Sequence, residues 1–330
     1  MAAFLIRRLI YLTLLVLVSA SVAYLLAASQ LNPRSRYDGR NPAPPESVVD
    51  ATLEALNMND KTPLGVRFGR WARGVVSGDL GLTIDGNPVR EEIGRRVFVS
   101  LRLLLLGALG GTIIGVGLGA YGAVHQYRVS DQTITIFSFV ALAIPVVVLA
   151  VLYKNAGIGL NNLLGYTGET KLLYTTGEIT PGLAPWSLEG ILNRLSHMVL
   201  PTLVLGTVTA AFYSRYQRNA MLDVLGSDFL RTARAKGLGR TRALIKHGLR
   251  TALIPMATFF AYQLALLFVG ATFTETIFGW HGMGEYFIQS ITRNDVNSVA
   301  GVTLFVAIMV LIAGFLADVA YAILDPRVRV

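Results

Sequence analysis

The sequence predicts an all-α integral membrane protein with about six transmembrane helices, and three observations lead there. The 330 residues are 53% hydrophobic and only 15% charged, against about 25% charged in soluble domains. Six apolar segments come close to the roughly 20 residues that cross a hydrocarbon core. Lys and Arg gather in the short connectors between them, as the positive-inside rule requires of cytoplasmic loops. The net charge of +9 is therefore read as juxtamembrane Lys and Arg, and no nucleic-acid partner is expected. With no cysteine, disulfides, thiolate metal sites and cysteine catalysis are excluded.

The spans fall near Leu9 to Ala28, Leu101 to Val124, Thr133 to Tyr153, Val199 to Phe212, Leu253 to Phe273 and Val302 to Ile323. The fourth is short and is expected to extend through Tyr216 with polar ends. Arg7 and Arg8 precede the first span, and its 20 apolar residues exceed a signal-peptide core, so an anchor is favoured over a cleavable leader. Arg128, the stretch from Arg215 to Arg250 with nine basic residues, and the pair Arg327 and Arg329 share one side with the N-terminus, which makes both termini cytoplasmic. Three regions follow: an N-terminal transmembrane helix at 1–29, an extracytoplasmic region at 30–99, and a core of five transmembrane helices at 100–330 that includes a basic cytoplasmic loop at 215–252.

Within 30–99, Asn32 to Pro45 reads as irregular. Glu46 to Leu56 and Val66 to Val76 read as short amphipathic helices, the second carrying Phe68 and Trp71, stopping at Gly78, and expected to lie on the membrane interface. The second span carries Gly107, Gly111, Gly115 and Gly119, a ridge along which another helix can approach closely, either in static packing or in a contact that slides. Pro145 predicts a kink in the third span. Asp318 is the clearest ionisable group inside a span, expected to pair near Arg327 and Arg329 rather than to relay protons.

Catalytic chemistry is not visible. The histidines 125, 197, 247 and 281 lie in different connectors, and His281 with Glu285 lacks the second His and the Glu of a zinc-protease helix. Neither a phosphate loop nor a nucleophile elbow occurs. The chain reads as a non-enzyme, with no cofactor or metal of its own, whose energy must come from another subunit.

The basic loop is the most informative segment. Asp228 is expected to cap a short helix whose apolar face is Phe229, Leu230, Ala233 and Leu238, Gly237 ends it, and a second basic helix runs from Arg242 to Leu253. Such a helix–glycine–helix unit can seat in a partner's groove, or adhere to anionic lipid.

RTARAKGLGRTRALIKHGLRTALIP resembles the cytoplasmic EAA loop of ABC importer permease subunits, in particular the dipeptide/oligopeptide branch. FLIRRLIYLTLLVLVSASVAYLL, RWARGVVSGDLGLTIDGNPVREEI, TETIFGWHGMGEYFIQSITRND and DVAYAILDPRVRV resemble further segments of that branch in order, so the likeness runs across nearly the whole chain. On the family's pattern Ala233, Gly237 and Leu249 match, while Arg231, Thr232, His247 and Arg250 stand at the Glu, first Ala, Ile and Pro positions. With Arg231 in place of the acid, docking is expected to rest on shape and basic charge.

The resemblance implies a type I ABC importer permease-like bundle in a bacterial or archaeal cytoplasmic membrane. It implies coupling through Asp228, Leu230, Arg231, Thr232, Ala233, Lys236, Gly237 and Leu249 to one or two cytoplasmic ATPase subunits, which use the ATP and Mg. The other implied partners are a homologous second permease subunit, an extracytoplasmic solute-binding protein, the peptide substrate and membrane lipid. Ser138, Tyr213 and Gln263 are polarity-based candidates for the solute pathway. The same architecture importing nickel, an opine or a sugar is the nearest alternative; a stand-alone ion-coupled carrier or an intramembrane hydrolase lacks the necessary groups.

Overall fold

The computed structural model describes residues 2–168, 171–253, 256, 259–260 and 271–324. Among them no strand forms, and a single bridge joins Leu82 and Pro88. The helices are α1 Ala2–Gln30, α2 Glu46–Ala55, α3 Leu64–Ser77, α4 Val89–Val124, α5 Val129–Ala143, α6 Val146–Leu163, α7 Leu188–Leu225 and α8 Asp228–Ala235, followed by shorter pieces and a long helix at Val296–Leu324. Five described helices are long and apolar enough to cross a membrane (Leu9–Gln30, Val89–Val124, Val146–Leu163, Leu188–Leu225 and Val296–Phe315), and Val129–Ala143 is a shorter apolar one.

Three expectations are corrected. The third span is two helices, not one kinked helix: Ile144 is extended (φ −78, ψ 125) and α6 starts anew behind Pro145. The proline ring disfavours helical geometry at the residue before it, so the break falls there. The fourth span is a 38-residue helix that runs through Pro201 and far past both expected ends. Polar positions such as Arg194 and Arg218 hid its extent from an apolar count, although they continue the same helix. The stretch from Lys154 to Met198, between the expected third and fourth spans, is correspondingly helical at both ends. The fifth span, Leu253 to Phe273, falls largely outside the described residues, as do Pro255, Gln263 and the side chain of Asp318.

The residues group into two compact units, 1–100 with 281–315, and 101–280 with 316–330. In the first, α1 and α3 pack through aromatic rings: Trp71 stacks on Tyr24 at 4.6 Å and 24°, with Phe68 alongside. Trp71 and Tyr24 are buried among Leu53, Met58 and Val299. The aromatic face of α3 is thus turned to protein, not to the membrane interface as expected. A charge cluster holds the entry of this unit. Arg34 bridges Asp50 and Asp60 at 2.7 and 2.6 Å, and Lys61 meets Asp50 at 2.6 Å. Lys61 and then Arg34 hold the Asp50 carboxyl below the usual carboxylate range, Arg34 does so for Asp60, and hydrogen bonds from Thr62 and Arg70 do so for Glu54. Asp295 precedes the helix Val296–Leu324 and accepts from its Ser298 amide at 3.0 Å and from the Ile84 amide at 2.9 Å, tying the 82–88 turn to that helix.

Candidate functional site: the basic loop and its anchorage

The second unit is built on the glycine ridge of α4. A Cβ at Gly107 would meet Leu205, at Gly111 Thr209 and the Gly206 carbonyl, at Gly115 the Ala210 backbone, and at Gly119 the Ser214 carbonyl and Gln217, all on α7 and all within 3 Å. Four glycines one turn apart therefore let α7 lie directly on the backbone of α4. Gly110 and Gly117, off that stripe, have nothing within 4 Å.

The end of this seam is pinned by charge. Arg218 of α7 grips Asp131 of α5 with Nε at 2.6 Å from Oδ1 and Nη2 at 2.8 Å from Oδ2, and the Tyr127 amide adds a third bond at 3.0 Å. The Asp131 side chain is only 3% exposed. A bidentate guanidinium–carboxylate pair fixes direction as well as distance, so the α4–α5 turn and the end of α7 form one corner.

The basic loop hangs from that corner. Ala123 of α4, Met221 and Val224 of α7, and Ala252 form a buried cluster, against which Leu225, Leu244 and Leu249 pack. Leu249 is therefore an anchoring residue. α8 follows directly on α7 through Gly226 and Ser227; Ser227, not Asp228, takes the cap position, and Asp228 sits in the first turn, where its carboxylate favours the helix dipole. Leu230 is buried, Ala233 half-buried, and Asp228, Arg231, Thr232, Arg234 and Lys236 are exposed. At about 100° per residue, Leu230 and Ala233 face the protein while Phe229 stands at the margin, 44% exposed. The sequence reading had placed Phe229 on one apolar face with Leu230, Ala233 and Leu238. It is the functional candidate that reading missed: a hydrophobic side chain on the outer face of an otherwise charged helix.

α8 stops in a Schellman turn. The Gly237 amide donates to the Arg234 carbonyl at 2.9 Å and the Leu238 amide to Ala233 at 3.3 Å, with Gly237 at φ +91. The chain then re-enters helix at Arg240–Ala243, passes a π-turn at Leu244–Leu249 and continues as Arg250–Ala252. A Cβ at Gly248 would meet Val224 and Leu244 at 3.4 Å. A cleft of about 620 Å³ opens between the loop and the α4–α5 turn, lined by Leu225, Leu230 and Leu244 and edged by His125, Arg128 and Arg234. α8 is thus an exposed knob mounted on the ends of α4 and α7.

The other sequence candidates lie apart from the knob. Ser138 is buried, its hydroxyl donating to the Ile134 carbonyl at 2.8 Å. Tyr213 is wholly buried at the Gly115 level of the α4–α7 seam. His281 and Glu285 form a hydrogen bond of 2.9 Å, and no cluster of three metal-ligating side chains occurs among the described residues.

Long apolar helices closely seamed together, with one amphipathic basic helix exposed at the end of the seam, define a polytopic membrane protein. The chain belongs to the family of binding-protein-dependent transport system inner membrane components, whose model matches residues 103–330. It is 48% identical over 330 residues, all of both chains, to the oligopeptide transport system permease protein OppB of Mycobacterium tuberculosis. It is 33% identical to AppB, an oligopeptide transport system permease protein of Bacillus subtilis, over the full length of both. It is also 33% identical to the dipeptide transport system permease protein DppB of Escherichia coli over 276 residues, 81% of each.

Proposed function

We propose that this chain is one of two permease subunits of an ATP-driven importer that carries peptides into the cytoplasm. The observation that carries the reading is the end-to-end similarity to peptide permeases of two genera, and similarity over 81% of each chain to that of a third, together with a basic helix mounted on the seam of the bundle. The relatives' names favour peptides over nickel, an opine or a sugar. The host is the cytoplasmic membrane, with both termini and the basic loop inside. A solute-binding protein delivers substrate outside, and one or two ATPase subunits hydrolyse ATP with Mg inside.

In this reading α8 seats in a groove of the ATPase. Phe229 supplies apolar contact, Arg231, Thr232 and Lys236 line the exposed face, Asp228 holds Arg231 at 3.7 Å, Leu230 and Ala233 keep the helix on the protein, and Gly237 sets the turn. Closure of the ATPase pair displaces α8. The cluster of Met221, Val224, Leu244, Leu249 and Ala252 passes the displacement to α7 and, through the glycine seam, to α4. Two discrete packings of such rigid elements are what alternating access needs. Ser138, Tyr213 and Gln263 are proposed for the solute pathway; the two described ones are packed within the second unit and meet solute only where its helices part.

The test is uptake of a labelled tripeptide by proteoliposomes holding this chain with its partner permease, ATPases and binding protein. Gly237→Val, a β-branched residue at positive φ, is expected to abolish ATPase capture while membrane insertion persists. Full uptake by that variant, or uptake of nickel or sugar in place of peptide, contradicts the proposal.

A further inference from the structure

The cleft of about 620 Å³ behind α8 has an apolar floor and a cationic rim. Val124, Leu225, Leu230 and Leu244 form the floor, His125, Arg128 and Arg234 the rim, and none of the described residues that line it is acidic. Arg128 and Arg234 are exposed, so whatever enters the cleft can reach them. Among the described residues neither guanidinium makes a hydrogen bond or an ion pair. Asp131, at the start of α5, is already taken by Arg218. The C-terminal ends of α4, α7 and α8 carry partial negative charge, which offsets the two arginines in part and leaves their forks of N–H donors unmet.

Arg234 belongs to a different face of α8 from the other cations. At about 100° per residue, it lies about 40° from the buried Leu230, whereas Arg231 and Lys236 lie about 100° and 120° from Leu230 on either side. The helix thus keeps Arg231 and Lys236 on its outer side and gives Arg234 to the cleft that Arg128 shares. His125 is held in place by Nδ1, 3.0 Å from the Tyr121 carbonyl, and by its ring, 4.2 Å from that of Tyr121. A carbonyl only accepts, so Nδ1 carries a proton and Nε2 remains for a ligand.

The surroundings set the depth of the cleft. It opens where α4 and α7, both long and apolar enough to cross a membrane, reach their C-terminal ends. Tyr121 and Tyr127 are 47% and 76% exposed there, and tyrosines concentrate at the level of lipid headgroups. Open guanidiniums beside an apolar floor at that level suit a ligand that is both anionic and amphiphilic. Water brings no charge, and a free inorganic anion leaves the floor uncovered. An acidic protein segment would have to enter from the bundle side of α8, away from its outer cations.

We propose that this cleft seats the headgroup of an anionic phospholipid, its phosphate on Arg128 and Arg234 and its glycerol and first acyl carbons on the floor. Guanidinium–phosphate pairs are strong and frequently bidentate, so the bound lipid ties α8 to the α4–α5 turn. The site stands independently of what the chain transports.

The experiment is native mass spectrometry of the full-length chain in neutral detergent, with dioleoyl phosphatidylglycerol as probe and dioleoyl phosphatidylcholine and inorganic phosphate as comparators. The first phosphatidylglycerol is expected to bind at least tenfold more tightly than phosphatidylcholine. Arg128→Gln with Arg234→Gln should erase that preference, and Arg128→Lys with Arg234→Lys should keep most of it. Arg242→Gln with Lys246→Gln removes equal charge from exposed positions of the same loop outside the cleft and should leave the preference intact. Hydrogen exchange of residues 228–235 should slow with phosphatidylglycerol in the unmodified chain and not in the Gln pair. Equal binding by the unmodified chain and the Gln pair, or an equal loss in the control pair, overturns the proposal. Displacement of the lipid by inorganic phosphate at equal concentration also overturns it and makes the cleft a site for free anion. Loss of ATPase capture by the Gln pair with unchanged lipid binding overturns it in favour of a protein partner.

Discussion

Gly115→Ala is expected to weaken the packing of α4 on α7, and the structure supplies its own control. The added Cβ would lie 2.6 Å from the Ala210 carbonyl oxygen and 2.9 Å from both Ala210 Cα and Tyr213 Cβ. Carbon pairs prefer about 3.5–4.0 Å, so the seam must open by about 0.6–1.1 Å at this level. A gap of about that size forfeits a quarter to a half of each contact's dispersion well. The obstacle is backbone, which has no alternative rotamer, so overpacking should cost about 1–3 kcal/mol. Gly117→Ala sits two residues away with nothing within 4 Å. Both variants gain about 0.5–1 kcal/mol of helix propensity, which cancels in the difference between them. Thermal unfolding of the full chain in detergent, followed by circular dichroism, should place Gly115→Ala several degrees below Gly117→Ala. Equal melting temperatures, or the reverse order, would refute the packing argument.

Two further outcomes are expected. Arg218→Met leaves the 3%-exposed Asp131 carboxylate without its guanidinium and should cost about 3–5 kcal/mol, whereas Asp131→Leu with Arg218→Met should recover most of it, read from the same melts. In the first unit, Asp50, Glu54 and Asp60 are held below their unfolded values. Their contribution is therefore present above the unfolded carboxylate range, about pH 4, and is lost as pH falls through the folded values. Hydrogen exchange over residues 46–62, corrected for intrinsic rates, should accelerate at about pH 3 relative to pH 7; unchanged protection would show that the cluster does not hold this region.

Much of this architecture was legible because apolar length and glycine spacing act locally. The stripe from Gly107 to Gly119 announced a close helix contact, and Gly237 announced the end of α8; neither needs tertiary information. What the sequence hid was set by distant partners. The length of α7 was masked because Arg218 reads as a loop residue until Asp131, 87 positions earlier, is seen to neutralise it. The interruption at Ile144 was read as a bend because a proline alone does not say whether a helix tilts or restarts. Phe229 was grouped with Leu230, Ala233 and Leu238 since, over about two and a half turns, four apolar residues look like a single face; only the depth at which Leu230 docks reveals which of them is left outside.

The central claim is that α8 transmits ATPase motion to a peptide pathway, and Phe229→Ala tests it most directly. The side chain is 44% exposed, so its removal should leave insertion and melting unchanged. ATP-driven tripeptide uptake by the assembled transporter in proteoliposomes should fall at least tenfold, together with loss of ATPase capture. Uptake at the unmodified rate, with the ATPase still bound, would contradict the account.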